Sequence, residues 1–208
     1  REGAAWYPEA HAEAERIAKE YNLTTEQAAG VIAALSPLRR WSDNVRDAED
    51  VMRQVASGVA DPAVLKLFSK SVARAEAIIG GASPNDVLWR GKTGFKVRSF
   101  FANILNPESR EVTIDTHMLR ILMANHSISS KEHGKYAANA GRYSAFRQAI
   151  IDAAAKANVS PTVIQATVWV VQRDEQSMGN VGLNRKAAGT DRTMSIMADA
   201  LGVVFASM

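Results

Sequence analysis

The stretch "KTGFKVRSFFANILNPESREVTIDTHMLR", residues 92–120, holds two helices joined by an extended passage. Apolar spacing of three and four predicts a helix over 95–105. Pro107 and the charged turn after it close that helix, and the alternation of Val112 with Ile114 predicts an extended connector over 106–114. Asp115 then opens a second helix over 116–124 as its N-cap, its carboxylate accepting amide hydrogen bonds at the positive end of the helix. Lys96 lies in the first turn of the earlier helix, where the macrodipole disfavours a cation. A buried helical protein needs neither charge at those places, so both are candidates for function.

The same grammar runs outward. Alanine is frequent and the spacing stays helical, predicting further helices over 9–21, 25–35, 43–56, 62–68, 71–79, 84–89, 143–157, 161–174 and 191–206. Thr24 and Gln27 form a capping box ahead of "AAGVIAAL". Asp61-Pro62, Ser83-Pro84 and Ser160-Pro161 each put a capping side chain before a proline at the first helical position. The fold class is all-α. "SMGNVGLNRKAAGT", residues 177–190, is rich in Gly and Asn around Arg185 and Lys186 and reads as a mobile loop.

Composition limits the function. At 208 residues with 47% hydrophobic content the chain can bury a core. No apolar run approaches the roughly 18 residues of a membrane span, and no charged-then-apolar leader is seen, so a soluble cytoplasmic protein without membrane partners is expected. The absence of cysteine excludes disulfides and thiolate metal sites. A pI of about 9.3 leans towards a polyanionic partner.

Asp115 reads either as a plain cap or as an acting anion. Lys96, beside Phe95, Phe100 and Phe101, reads either as a snorkelling surface residue or as an amine nucleophile able to form a Schiff base. Gly91 and Gly94 flank "KT" ahead of the helix, a spacing that lets backbone amides approach a phosphate, and Arg90, Lys92, Lys96 and Arg98 crowd the same place. "SPLRRW" sets Arg39, Arg40 and Trp41 in a turn: a phosphate clamp with a stacking platform, or a solvated turn. Gln165, Trp169 and Arg173 recur every four residues as one helical stripe, covering a core edge or facing a cleft. His117 packs or caps. His126 and His133 lack a carboxylate set, so no metal and no cofactor is expected.

"LWRGKTGFKVRSFFANIL" followed by "VTIDTHMLRIL" resembles the centre of the helix-hairpin-helix DNA glycosylase superfamily, the group containing endonuclease III. There a glycine-rich hairpin leads to a helix bearing a catalytic lysine, and a "VDTH" segment supplies a catalytic aspartate. Lys96 and Asp115 match these, nineteen positions apart. "GVIAALSPLRRWSDNVRDAEDVM", with Asn44, resembles that family's helix-loop-helix lining the base pocket. The resemblance covers roughly residues 27–125; the hairpin spacing differs, and the family's terminal cysteine cluster is missing. "SPTVIQATVWVVQR" looks like phage-encoded relatives.

The resemblance implies a two-lobed helical bundle with a central cleft: a core of about 25–125 with hairpin and aspartate, and a second lobe made by the N-terminal helix with 126–208. It implies double-stranded DNA as partner and glycosylase or lyase chemistry on a flipped-out modified or damaged base. Two alternatives stay open. One is a phage transferase that replaces the pyrophosphate of 5-(pyrophosphoryloxymethyl)uracil in DNA with a small amine or amino acid. The other is a DNA-binding module without catalysis.

Overall fold

A computed structural model of the chain describes residues 2–58, 61–89, 94–122 and 130–178. The elements are α1 (Glu2–Glu20), α2 (Thr25–Leu35), α3 (Trp41–Ala56), α4 (Pro62–Leu65), α5 (Ser69–Ile79), α6 (Pro84–Leu88), α7 (Gly94–Leu105), α8 (Thr116–Leu122), α9 (Ser130–Ala137), α10 (Ala140–Ala157) and α11 (Pro161–Met178). No strand occurs among the described residues, so the all-α reading holds there. No helix among them is long and apolar enough to cross a membrane.

Local chemistry accounts for most of the boundaries. The Thr24–Gln27 capping box is formed with both of its reciprocal bonds, an arrangement worth about 1 kcal/mol. Asp61 accepts from the Ala63 amide and Ser160 from the Val163 amide. Ser83 makes no side-chain cap bond, contrary to its reading; buried Pro84 alone marks that start. α4 ends at Leu65, short of the expected 68, because Lys66 turns into the left-handed region with φ 54°. α3 starts at Trp41, which makes Arg40 the N-cap and takes Trp41 out of the turn. α11 runs on to Met178; the helix predicted over 191–206 and the rest of the 177–190 loop lie outside the described residues.

The chain divides into two compact units, one of Pro8–Pro107 and the other of Arg1–Tyr7 with Glu108–Met208. The first cut falls inside α1 at Pro8, which has no amide to offer the helix ladder. The second falls in the connector.

In the Pro8–Pro107 unit α2 is buried from Ala28 to its end at Leu35 and packs on α3, α5, α6 and α7. A helix apolar on every face belongs at the centre of such a bundle. Ile32 and Leu35, both fully buried, contribute about 1.5–3 kcal/mol each. In the other unit α10 packs on α9 and α11, and α8 on α9 and α11. Val112, Ile114, Met118, Leu119 and Leu122 are all fully buried, so the connector and α8 together thread this unit's core.

Candidate functional site

An extended connector in a helical unit has a backbone to satisfy without a neighbouring strand. Tyr143 of α10 does this with one atom. Its hydroxyl donates to the Val112 carbonyl at 2.9 Å and accepts from the Ile114 amide at 3.2 Å. Thr113 between them is also buried, and the Tyr7 hydroxyl lies 3.2 Å from its Oγ1. Tyr7 in turn donates to Gln165 Oε1 of α11 at 2.6 Å. Three consecutive residues are thus gripped by Tyr143 of α10 and by Tyr7 of α1, which Gln165 of α11 holds in turn, and this fixes where Asp115 emerges.

Asp115 caps α8 as expected: Oδ1 accepts from the Met118 amide at 2.9 Å, and its own carbonyl accepts from Leu119. The second oxygen has a different donor. Trp169 of α11 points its indole Nε1–H at Oδ2, 3.1 Å away. Trp169 is itself braced by the edge of Trp6, ring centres 5.5 Å apart, and Trp6 meets Tyr7 edge-on at 4.8 Å. Gly3 explains why this N-terminal turn comes so close to α11, for a Cβ there would sit 2.3 Å from Thr167 Cα. Asp115 remains half-buried, and no Lys or Arg pairs with it among the described residues. Its charge is held by two neutral donors, and the carboxylate is still reachable.

The stripe Gln165, Trp169, Arg173 therefore has a face to meet. Gln165 is buried and spent on Tyr7, while Trp169 addresses Asp115. Arg173 is on α11 with its side chain outside the described residues. His117, on the first turn of α8, is half-buried, and its Nδ1 has no hydrogen-bond partner among the described residues.

The remaining candidates among the described residues belong to the Pro8–Pro107 unit. Lys96 is half-buried in the first turn of α7. Gly94 starts that helix against the end of α6, where a Cβ would lie 3.0 Å from the Leu88 carbonyl oxygen, so close packing is reason enough for this glycine. Arg98 lays its guanidinium 4.3 Å over the ring of Trp89, which Phe95 meets edge-on. Arg39 clasps Asp47 through two bonds of 2.5 and 2.8 Å, and those bonds raise its pKa above the usual range. Asn44 is buried, donating to the Ile32 carbonyl, and Trp41 is half-buried. Arg40 is exposed. Gly91, Lys92, Arg185 and Lys186 lie outside the described residues.

A family model matches residues 1–176, most of the chain and both of its units. The chain belongs to the DUF7178 family. It is described as a family of unknown function. No curated protein and no solved structure matches the chain. The matched span includes every support of Asp115 in this DUF7178 chain, from Gly3 to Trp169. Sequence reasoning singled out Asp115 and the α11 stripe, which the structure brings into contact through Trp169, and passed over the aromatic pair Trp6-Tyr7 and the anchoring role of Tyr143. One signal was present: two adjacent aromatics and a glycine ahead of Pro8, on a stretch with little else apolar.

Proposed function

We propose that this protein is a DNA-acting enzyme that takes a modified or damaged base out of the duplex and works at C1′ of its deoxyribose, with Asp115 as the acting carboxylate. The supporting observation is the mounting of Asp115: one oxygen on the α8 amide, the other on the Trp169 indole, the group half-exposed and unspent on any cation among the described residues.

When the bond from C1′ to the base breaks, the bonding pair leaves with the base and positive charge develops on the sugar. A carboxylate already held in place stabilises that charge without reorganising. Water then adds to C1′ and gives up its proton. Extruding the base costs a few kcal/mol of unstacking, offset by contacts to the DNA backbone. Lys96 is the amine of the lyase branch: in its neutral form it attacks C1′, displaces the base, and the Schiff base that follows permits β-elimination.

The test uses duplex oligonucleotides carrying modified or damaged bases. Asp115→Asn lowers turnover by orders of magnitude while DNA binding persists. A borohydride-reducible adduct forms with the parent protein and is lost in Lys96→Ala. Full activity of Asp115→Asn removes the central role given to that residue. A mass gain on pyrophosphorylated DNA in the presence of an amino acid, with no base released, moves the reaction to amine transfer, Asp115 then serving as general base. Salt-dependent, sequence-indifferent binding that survives loss of both residues, without turnover, leaves only a binding module.

A further inference from the structure

A hollow of about 250 Å³ opens in the Pro8–Pro107 unit between the α2–α3 turn and the α4–α5 turn, with Leu35, Leu38, Arg39, Lys66, Leu67 and Phe68 among its lining residues. The chemistry assigned to Asp115 makes no use of it.

The apolar side chains around it are displayed, not packed. Leu38 is 89% exposed, Phe68 57%, and Val64, two residues before Lys66, 68%. These are three of the five large apolar side chains that stand exposed among the described residues, so the exposure is concentrated here. Scattered exposed apolar residues are ordinary, but a concentration of them around one hollow marks a surface that another molecule covers. Leu38 also sits in the left-handed region, φ 62°, a conformation that is costly for a residue with a Cβ. So exposed a side chain gains no packing within the chain from that turn. What the turn achieves is a leucine presented at the hollow.

The two sides of the hollow differ in charge. Over residues 35–47, Arg39 is taken by Asp47 and Arg46 by Asp43, which leaves exposed Arg40 as the one surplus cation. Residues 62–71 hold Lys66 and Lys70 and no acidic residue; Asp61, just ahead, caps α4 through the Ala63 amide, and Arg74 and Glu76 further along α5 balance in number. Both lysines are exposed, and no ion pair engages their side chains among the described residues. A nucleic-acid strand needs a continuous track of cations, which Asp43 and Asp47 interrupt. Two lysines on one side of an apolar hollow match instead a few discrete carboxylates flanking one bulky apolar side chain. A cavity of about 150 Å³ already takes a benzene ring, so this hollow takes one phenylalanine or leucine side chain and not a row of them.

We infer that the hollow docks an acidic segment of another protein, one bulky apolar side chain entering beside Leu38 and Phe68 while the flanking carboxylates meet Lys66 and Lys70. The inference is independent of the role given to Asp115 and adds a protein partner to this chain.

Fluorescence anisotropy of the full chain tests it, with a labelled peptide of glutamates around one phenylalanine. The parent chain binds this peptide saturably, and the same peptide with alanine for phenylalanine binds about tenfold more weakly, the order of one aromatic side chain left unburied. Phe68→Ala weakens the first peptide about tenfold as well. Lys66→Asn keeps a residue suited to the left-handed turn, weakens binding about threefold and lessens its salt dependence. Lys156→Ala, at an exposed lysine of the other unit, changes neither. Leu38→Gly relieves the left-handed strain, so the melting temperature does not fall while the affinity does; a leucine placed there for stability would show the reverse. The inference is overturned if the parent chain shows no saturable binding, or if the two peptides bind alike, since the attraction is then diffuse charge. It is equally overturned if the Leu38 and Phe68 variants bind as tightly as the parent. Oligothymidine that displaces the peptide and is itself lost in Phe68→Ala would make the hollow a nucleotide site. Sedimentation showing a self-associating parent chain and a monomeric Phe68→Ala would put a second copy there; either result removes the acidic partner.

Discussion

Exchanging Asp115 and Trp169 singly and together measures how firmly the carboxylate is held. In Asp115→Asn the side chain keeps its shape, and asparagine caps helices about as well as aspartate. The Met118 bond survives if the amide oxygen takes the place of Oδ1. The amide nitrogen then faces the Trp169 indole, donor against donor, where a charge-assisted bond of 3.1 Å stood. Flipping the amide only moves the conflict to Met118. A hydrogen bond to a charged group is worth about 1.5–3 kcal/mol, and because water reaches half-buried Asp115 the lower end applies, about 1.5 kcal/mol. Trp169→Phe removes the donor and part of the edge contact with Trp6, about 2 kcal/mol in all. Once the donor has gone, Asn at 115 has no conflict left. The double variant is therefore more stable than the sum of the two losses predicts, by about 1–1.5 kcal/mol. Urea denaturation followed by circular dichroism gives the four free energies, with unchanged slopes as the check on the unfolding model. A coupling within about 0.3 kcal/mol of zero means that Trp169 does not hold Asp115, and the observation supporting the proposed function goes with it.

Two further outcomes follow from the same contacts. Tyr143→Phe strands the buried Val112 carbonyl and Ile114 amide together and lowers stability by about 2–3 kcal/mol in thermal or urea unfolding, whereas Tyr136→Phe, at a half-buried ring under Arg142, stays within about 0.5 kcal/mol; equal effects would mean the hydroxyl does not anchor the connector. Arg39→Ala leaves Asp47, 5% exposed, without its guanidinium and costs about 2 kcal/mol, while Arg40→Ala, an exposed N-cap with no side-chain bond, costs less than about 0.5 kcal/mol; a stable Arg39→Ala would return that arginine to the candidates for phosphate.

The helices were legible because their determinants are local. Three-and-four spacing, the Thr24–Gln27 box and the Asp61-Pro62 start each lie within a few residues, and each is found where it was read. The misreadings lie where a distant contact outweighs local signals. The first helix is expected over 9–21, yet α1 begins at Glu2, where Gly3, Trp6 and Tyr7 gain α11 and the connector as partners. The short α9, "SKEHGKYA", has little apolar periodicity of its own and is helical where it meets α8 and α10. Ser83 looks like a cap and makes no side-chain cap bond; Pro84 packs against Gly30 of α2, which needs no cap to hold the helix start.

The same distinction governs Asp115. A carboxylate before a helical run was visible in "VTIDTHML", and the bond it predicts is local, from the amide three residues on. A plain cap requires nothing else, since its second oxygen can turn to water. What separates Asp115 from a plain cap is that second oxygen, which meets an indole 54 residues away, braced by an aromatic pair from the start of the chain. The connector leading to it is held by partners as far as 106 positions distant. No pattern of spacing records a contact of that range. An N-cap needs its aspartate only at a helix end, whereas an acting carboxylate needs it at a defined point and angle. Two held oxygens and three held connector residues are more than the single amide bond by which Asp115 caps α8, which is why the proposed role is placed on this carboxylate.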